Sequence, residues 1–175
     1  MKIKRVWAMP NGETFSIHSI GTFVKSYLSG VVVDPFARNN GWATYSNDLN
    51  PDTDAKFHME AIDFLLMLKK EAVLADVIIF DPPYSPRQIS EIYQNIGLKP
   101  GIKETQKPGR WTDEKNIVDE ILKPDGIFLQ FGWNTCGMGE KRGYQIEEIM
   151  IVSHGAGHND TLCLAERKVK RDLFT

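Results

Sequence analysis

An α/β fold, with helices on both faces of a mixed sheet and an antiparallel hairpin closing its C-terminal end, is predicted by three observations. Short apolar runs at residues 31–33, 76–80 and 127–131 have the length and β-branched character of strands buried on both faces. Between them lie stretches with apolar residues near helical spacing. Two longer strand-like runs, residues 144–153 and 161–167, are joined by a glycine-containing loop from His154 to Asp160, as a hairpin requires. With 175 residues, 42% of them hydrophobic, residues 1–175 are expected to form one domain around one core.

The elements follow in order. A basic cluster, Lys2, Lys4 and Arg5, begins the chain, and residues 14–18 read as a loop or short strand leading into a helix over 20–28, with Phe15 and Ile17 as core residues. Val31-Val32-Val33 is a strand followed directly by Asp34-Pro35-Phe36-Ala37. The turn after it holds Arg38, Asn39 and Asn40, and asparagine tolerates left-handed backbone angles. Trp42 to Ser46 is β-leaning and ends in Asn47-Asp48-Leu49-Asn50-Pro51. An acid at such a strand end can accept hydrogen bonds from both ribose hydroxyls of a nucleoside cofactor, and Asp48 is the candidate. Asp52 and Asp54 read as turn and helix-start residues. Residues 53–70 are expected to be mainly helical, with Met59, Ile62, Leu65, Leu66 and Leu68 on the apolar side.

Asp81-Pro82-Pro83-Tyr84 closes the apolar run 76–80 and is the most informative stretch of the chain. Two consecutive prolines fix φ and donate no N–H, so the strand stops and the backbone leaves it in one rigid, extended direction. The Pro82 carbonyl is thereby left without a sheet partner. Beside the Asp81 carboxylate it makes a pair of acceptors suited to the two hydrogens of an exocyclic amino group, and Tyr84 supplies a flat face for stacking. The plain alternative is a proline turn that serves only as punctuation.

DPPY after a hydrophobic strand resembles the catalytic motif of the S-adenosylmethionine-dependent amino-methyltransferases, which modify adenine N6 or cytosine N4. The resemblance implies a Rossmann-like sheet of seven strands, S-adenosyl-L-methionine as cofactor, and Asp81, Pro82, Pro83 and Tyr84 as the catalytic residues. An aromatic amine is a poor nucleophile, because its lone pair is delocalised into the ring. Acceptors that hold both its hydrogens favour a pyramidal nitrogen and offset the charge that develops during attack, so no covalent enzyme intermediate is needed.

Other motifs extend the resemblance along nearly the whole chain. Asp34-Pro35-Phe36 resembles the family's first cofactor motif, acid-Pro-Phe-x-Gly-x-Gly, and implies that Asp34, Pro35 and Phe36 meet the methionine part of the cofactor. The chain departs from that motif at Arg38, Asn39 and Asn40, where the family has a glycine-rich turn. Residues 47–51 are similar to N-D-x-N-P, which again indicates Asp48. Residues 61–65 resemble the segment that brings an acid to the cofactor's adenine, which implies Asp63, although an acid in an apolar helix is also simply solvated. A helix over 114–122, the turn Lys123-Pro124-Asp125-Gly126 and the strand after it resemble the L-K-P-x-G region of many methyltransferases of this cofactor class.

Candidate substrate contacts are Arg87, Trp111 and Trp133. Arg87 and Gln88 follow the catalytic motif, where an exposed helix start explains them equally well. A polar stretch over 97–111 reads as a lid or substrate loop, with Lys99, Lys103, Lys107 and Arg110 ahead of Trp111, in a pattern that suits phosphate contact plus stacking. Trp133 follows the strand at 127–131, where it can stack on a flipped base or pack against the sheet.

Composition limits the alternatives. A net charge of −2 excludes strong nonspecific DNA affinity from the molecule as a whole, which leaves local patches such as Lys141–Arg142 and Arg167, Lys168, Lys170 and Arg171. No apolar stretch is long enough to span a membrane. His154, His158, Cys136 and Cys163 have the wrong spacing for zinc, so no metal is expected. With two cysteines and no secretory leader, the expected compartment is the cytoplasm of a bacterial or phage-infected cell. The resemblance is to small phage-borne catalytic modules without a separate target-recognition domain. It implies a nucleic-acid partner, DNA with adenine as the target and cytosine not excluded, and either low sequence specificity or a homodimer as a further partner. RNA, another amine, or a noncatalytic binding role are the alternatives.

Overall fold

In the computed structural model, which describes residues 1–99, 101, 111–155 and 157–169, seven strands form one sheet. They are β1 (Lys2–Trp7), β2 (Val32–Asp34), β3 (Tyr45–Ser46), β4 (Ala75–Phe80), β5 (Leu122–Gly132), β6 (Tyr144–Ser153) and β7 (Thr161–Lys168). Their order is β1-β6-β7-β5-β4-β2-β3. β3, β2, β4 and β5 run parallel, while β7 is antiparallel to both β5 and β6. Helices α1 (His18–Lys25), α2 (Ala61–Lys70), α3 (Pro86–Asn95) and α4 (Thr112–Ile121) complete the layers. Lys103, Lys107, Arg110, Lys170 and Arg171 lie outside the described residues.

The central strand shows why the apolar runs are unbroken. Alternate residues of β4 face opposite ways, so Ile78 and Phe80 join a core with Phe64, Leu65 and Leu68 of α2 and Val118 of α4. Val77 and Ile79 enter a second core with Ile20, Phe23 and Val24 of α1. A strand covered on both faces has no polar side to present, and Val77 through Phe80 are all fully buried.

Three local expectations need correction. The basic start of the chain is an edge strand: β1 pairs parallel with β6, Lys2 opposite Glu148 and Trp7 opposite Ser153. Lys4 pairs with Glu148 at 2.8 Å, and His154 Nδ1 donates to the Ala8 carbonyl at 2.9 Å while Nε2 meets Thr161 Oγ1 at 2.9 Å. Charge on an exposed edge suits that position, which hides the strand from a hydrophobicity reading. The helix expected from residue 53 begins only at Ala61. Before it, Phe57 bridges in parallel to Asn47, whose buried amide donates to the Met59 carbonyl (3.0 Å) and accepts from the Met59 N–H (3.1 Å). Finally, the turn at 123–126 is a bulge inside β5, between the Ala75–Leu122 and Val77–Ile127 pairs, with Asp125 at φ 64°.

Candidate active site

From β2 the sheet continues outward to β3, and from β4 it continues the opposite way to β5. A crevice forms outside the carboxyl ends of strands at such a reversal. Here it is a cleft of about 460 Å³, walled by the segments that follow β2, β3 and β4, with Gly12 and Thr14 from the N-terminal segment over it.

The segment after β2 divides the residues implied there. Pro35 and Phe36 line the cleft. Asp34 does not: it is fully buried beneath, its Oδ1 accepting from the Phe36 N–H at 3.0 Å and its Oδ2 without a partner. Burial drives its pKa well above the ordinary carboxylate value, Asp81 and Asp48 adding to the rise and the Phe36 hydrogen bond opposing it. A carboxyl that holds its proton when folded and releases it when unfolded loses stability as pH rises above the unfolded value, about 4. Asp34→Asn is therefore expected to be more stable than wild type in urea unfolding at pH 7.5, with the difference shrinking towards pH 4.5. A constant difference would contradict the assignment.

The glycine-poor turn is made by its arginine. Arg38 itself takes the left-handed angle, φ 49°. Its guanidinium turns away to the Gly12 carbonyl (2.6 Å) and Glu13 (2.9 Å), so its charge is paired and it ties the N-terminal segment across the cleft. Asn39 and Asn40 cap neighbouring backbone, accepting from the N–H of Asp54 (3.1 Å) and Trp42 (3.2 Å).

Asp48 lies in the cleft wall, its carboxylate accepting from the Arg38 N–H at 3.1 Å and the Asn50 N–H at 2.9 Å. Each oxygen keeps capacity for a further donor. Asp63 is exposed on the first turn of α2 and is not part of the wall, because the helix begins later than its apolar spacing suggests. Glu60 and Ala61 occupy the wall instead, and the Tyr93 hydroxyl donates to Glu60 Oε1 at 2.5 Å. Glu114, on the first turn of α4, is buried and also reaches the wall. No motif marked Glu60, Tyr93, Glu114 or Thr14 as cleft residues.

Asp81, Pro82, Pro83 and Tyr84 stand at the meeting of the cleft with a smaller hollow. The Tyr84 hydroxyl donates to Asp81 Oδ1, and the Thr14 hydroxyl is within hydrogen-bonding reach of both. Burial pushes the Asp81 carboxyl up to about 6, against the opposing pull of Tyr84, Thr14 and the Arg38 charge. A capping box fixes the exit from the turn: Gln88 N–H donates to Ser85 Oγ, while Gln88 Oε1 accepts from the Ser85 N–H (3.1 Å) and the Tyr84 N–H (2.6 Å). Gln88 thus belongs to the frame of the motif rather than to a nucleic-acid surface. Arg87 is exposed outside the wall and pairs with Glu91 at 2.7 Å, an ordinary i,i+4 pair.

The two tryptophans differ. Trp133 is 45% exposed and faces the Tyr84 ring at 5.7 Å. Trp111 is buried against Phe36 (5.2 Å) and Phe80 (6.4 Å), so it is a core wedge between cleft and hollow rather than a surface stacker on a basic loop. Its ring buries a large area, which outweighs exposure on a loop.

The donor set suits a nucleoside that carries a positive charge. The cleft volume lies in the range of small-molecule sites, about 300–1,000 Å³. Asp48 and Glu60 bring carboxylates to the wall that suit hydroxyls and a cation, and among the described residues the arginine of the wall, Arg38, is already paired.

No protein-family model matches the sequence, and no curated protein matches it. Among solved structures, SMU.776, named as a methyltransferase and solved with SAH, superimposes with a TM-score of 0.56 at 14% identity, covering 81% of this chain and 46% of its own. TrmN from Thermus thermophilus gives 0.55 at 14% identity, over 87% of this chain and 49% of its own. NSun6 from Pyrococcus horikoshii, solved with SFG, gives 0.52 at 15% identity, over 80% and 48%. The chain spans about half the length of these structures. What it shares with them is the fold, a Rossmann-like mixed sheet with helices on both faces. No helix among the described residues is long and apolar enough to cross a membrane.

Proposed function

We propose that this chain transfers a methyl group from S-adenosylmethionine to the exocyclic amine of a nucleobase, with adenine N6 in DNA as the target. One observation carries the reading: the Asp81-Pro82-Pro83-Tyr84 turn opens at the floor of a nucleoside-sized cleft at the reversal point of the sheet. The likeness of fold to structures solved with SAH and SFG supports the choice of cofactor.

When bound, the cofactor supplies a methyl group on a sulfonium, already activated for attack. Asp48 accepts from the ribose hydroxyls, Glu60 and Ala61 border the adenine, and Pro35 and Phe36 face the methionine part. Arg38, held by Glu13, keeps its charge off the sulfonium. Asp81 and the Pro82 carbonyl accept hydrogen bonds from the two amine hydrogens and orient the lone pair toward the cleft; as the N–C bond forms, the C–S bond would break with its electron pair going to sulfur, and the nitrogen gives up one proton to Asp81. For this the Tyr84 hydroxyl leaves Asp81, and its ring stacks with Trp133 on a base taken out of the helix.

The test is radiolabelled methyl transfer from S-adenosylmethionine to unmodified DNA, RNA and free nucleosides, with mass spectrometry of the product. N6-methyladenine formed in DNA by wild type is the expected result. Transfer only to RNA would move the reading to RNA, and no transfer together with no cofactor binding would end it.

A further inference from the structure

The hollow beside the catalytic turn has a polar floor that the reading above leaves without a role. Its volume is about 30 Å³, room for one water, and Pro82, Tyr84 and Trp133 form its walls. At its floor lie Lys115 of α4, Gln130 of β5 and Asn134. Lys115 is 6% exposed, an unusual burial for a lysine. Its Nζ donates to Gln130 Oε1 at 2.7 Å and to the Gly137 carbonyl at 2.7 Å, both neutral acceptors. The buried acid nearby, Glu166, uses its oxygens on the N–H groups of Met138 (2.6 Å) and Gly139 (3.1 Å).

The surroundings hold this lysine in place. Gly137 has φ 47°, and a Cβ there would fall 2.2 Å from a Glu166 oxygen, so only glycine brings its carbonyl to Nζ without displacing the acid. Gln130 interrupts the apolar run 127–131 of β5, and its amide also donates to Asn134 Oδ1 at 3.3 Å. Burial lowers the Lys115 pKa to about 8, with Glu166 opposing the shift, so the ammonium form still predominates at neutral pH. An ammonium carries three N–H groups, and the two bonds above use two.

Resting on the methyl-transfer reading, we propose that Lys115 is a specificity-determining residue, donating its third N–H to the ring nitrogen next to the amine held by Asp81 and Pro82. As the Tyr84 and Trp133 rings part, the base edge enters the hollow above Lys115. Adenine (N1) and cytosine (N3) place an acceptor beside the amine. Guanine, whose amine lies between the N1–H donor and the N3 acceptor, is rejected in the orientation that brings N1–H to the donor floor, because the two hydrogens meet head-on. The same floor thus explains selection of an amine flanked by an acceptor.

The test compares wild type, Lys115→Met and Lys115→Arg on oligonucleotides with a single target of adenine or 1-deazaadenine, measuring kcat/KM with cofactor Kd as a control. Wild type is expected to prefer adenine by about tenfold to a hundredfold, the range for a hydrogen bond from a charged donor. In Lys115→Met the preference should fall to near unity, with cofactor Kd unchanged, and Lys115→Arg should recover part of it. Wild-type preference that persists in Lys115→Met would overturn the proposal even if both rates drop, because that is the signature of a structural residue. If Lys115→Met fails to fold, Lys115→Arg against wild type on both targets decides: a reduced preference is the expected result, and a preference equal to that of wild type in the folded variant, whatever its overall rate, would equally overturn the proposal. Wild type that methylates no base would instead overturn the methyl-transfer reading beneath it.

Discussion

Asp81→Ala is expected to lower methyl transfer by about a thousandfold while leaving cofactor binding intact. Loss of one preorganised electrostatic partner at the reacting atom costs about 10²–10³ in rate, and the upper end applies because the carboxylate meets the very nitrogen on which charge develops. The fold should survive, since Asp81 sits past the end of β4 and bears no ladder hydrogen bond. Its ionisation gives a second readout. Burial places the Asp81 pKa at about 6, and the Tyr84 hydroxyl, which donates to the carboxylate, holds it from rising further. The carboxylate form is the acceptor, so kcat/KM should rise with pH through about 6 and level above it. In Tyr84→Phe the stacking ring stays and the donor is gone. The acidic limb should then move to higher pH, because the charged form has lost a stabilising bond. A limb that stays in place would show that another group governs the profile.

Asp48→Ala is expected to weaken binding of S-adenosylmethionine by about tenfold to a hundredfold, the worth of charge-assisted hydrogen bonds at about 1.5–3 kcal/mol. Two effects combine in that figure. The ribose loses its acceptor, and the turn after β2 loses the carboxylate that receives the Arg38 and Asn50 N–H groups. Asp48→Asn weakens both, since its single oxygen replaces two acceptors and its amide cannot accept, so the melting temperature read beside the cofactor Kd separates them. Asp63→Ala is the contrast: exposed on α2 and away from the cleft, it should leave the cofactor Kd within about twofold of wild type. Calorimetric titration of the three variants checks all of this. An unchanged Kd in Asp48→Ala with a lowered melting temperature would make Asp48 a loop clasp and nothing more.

These contrasts follow from how much of the site can be read locally. Asp81-Pro82-Pro83-Tyr84 was legible because proline acts through its own covalent geometry, and the apolar run before it needs no partner to be recognised. Asp48 was legible for a similar reason, as an acid at the end of a short strand. Asp63 was misplaced by spacing alone. The apolar residues at 59, 62 and 65 fit a helix, but Asn47 captures the Met59 backbone and keeps residues 57–60 out of it. The cleft therefore receives Glu60 and Ala61, three and two positions earlier. Trp111 was misjudged because a basic, polar neighbourhood says nothing about the Phe36 and Phe80 rings that wait for it in the fold.

By itself the sequence determined the α/β class, the buried strands, the hairpin that closes the sheet and the proline turn after β4. Each of these rests on periodicity, propensity or proline chemistry within a few neighbouring residues. The tertiary structure alone decided that β1 completes the sheet beside β6, that Arg38 is neutralised by Glu13, that Thr14 reaches Asp81 and that Lys115 is seated on Gln130 and Gly137. All four join residues distant in the chain or hinge on a charge whose partner arrives from another element. Burial, which sets both the Asp34 and Asp81 ionisations, is likewise a property of the packed molecule and not of any segment.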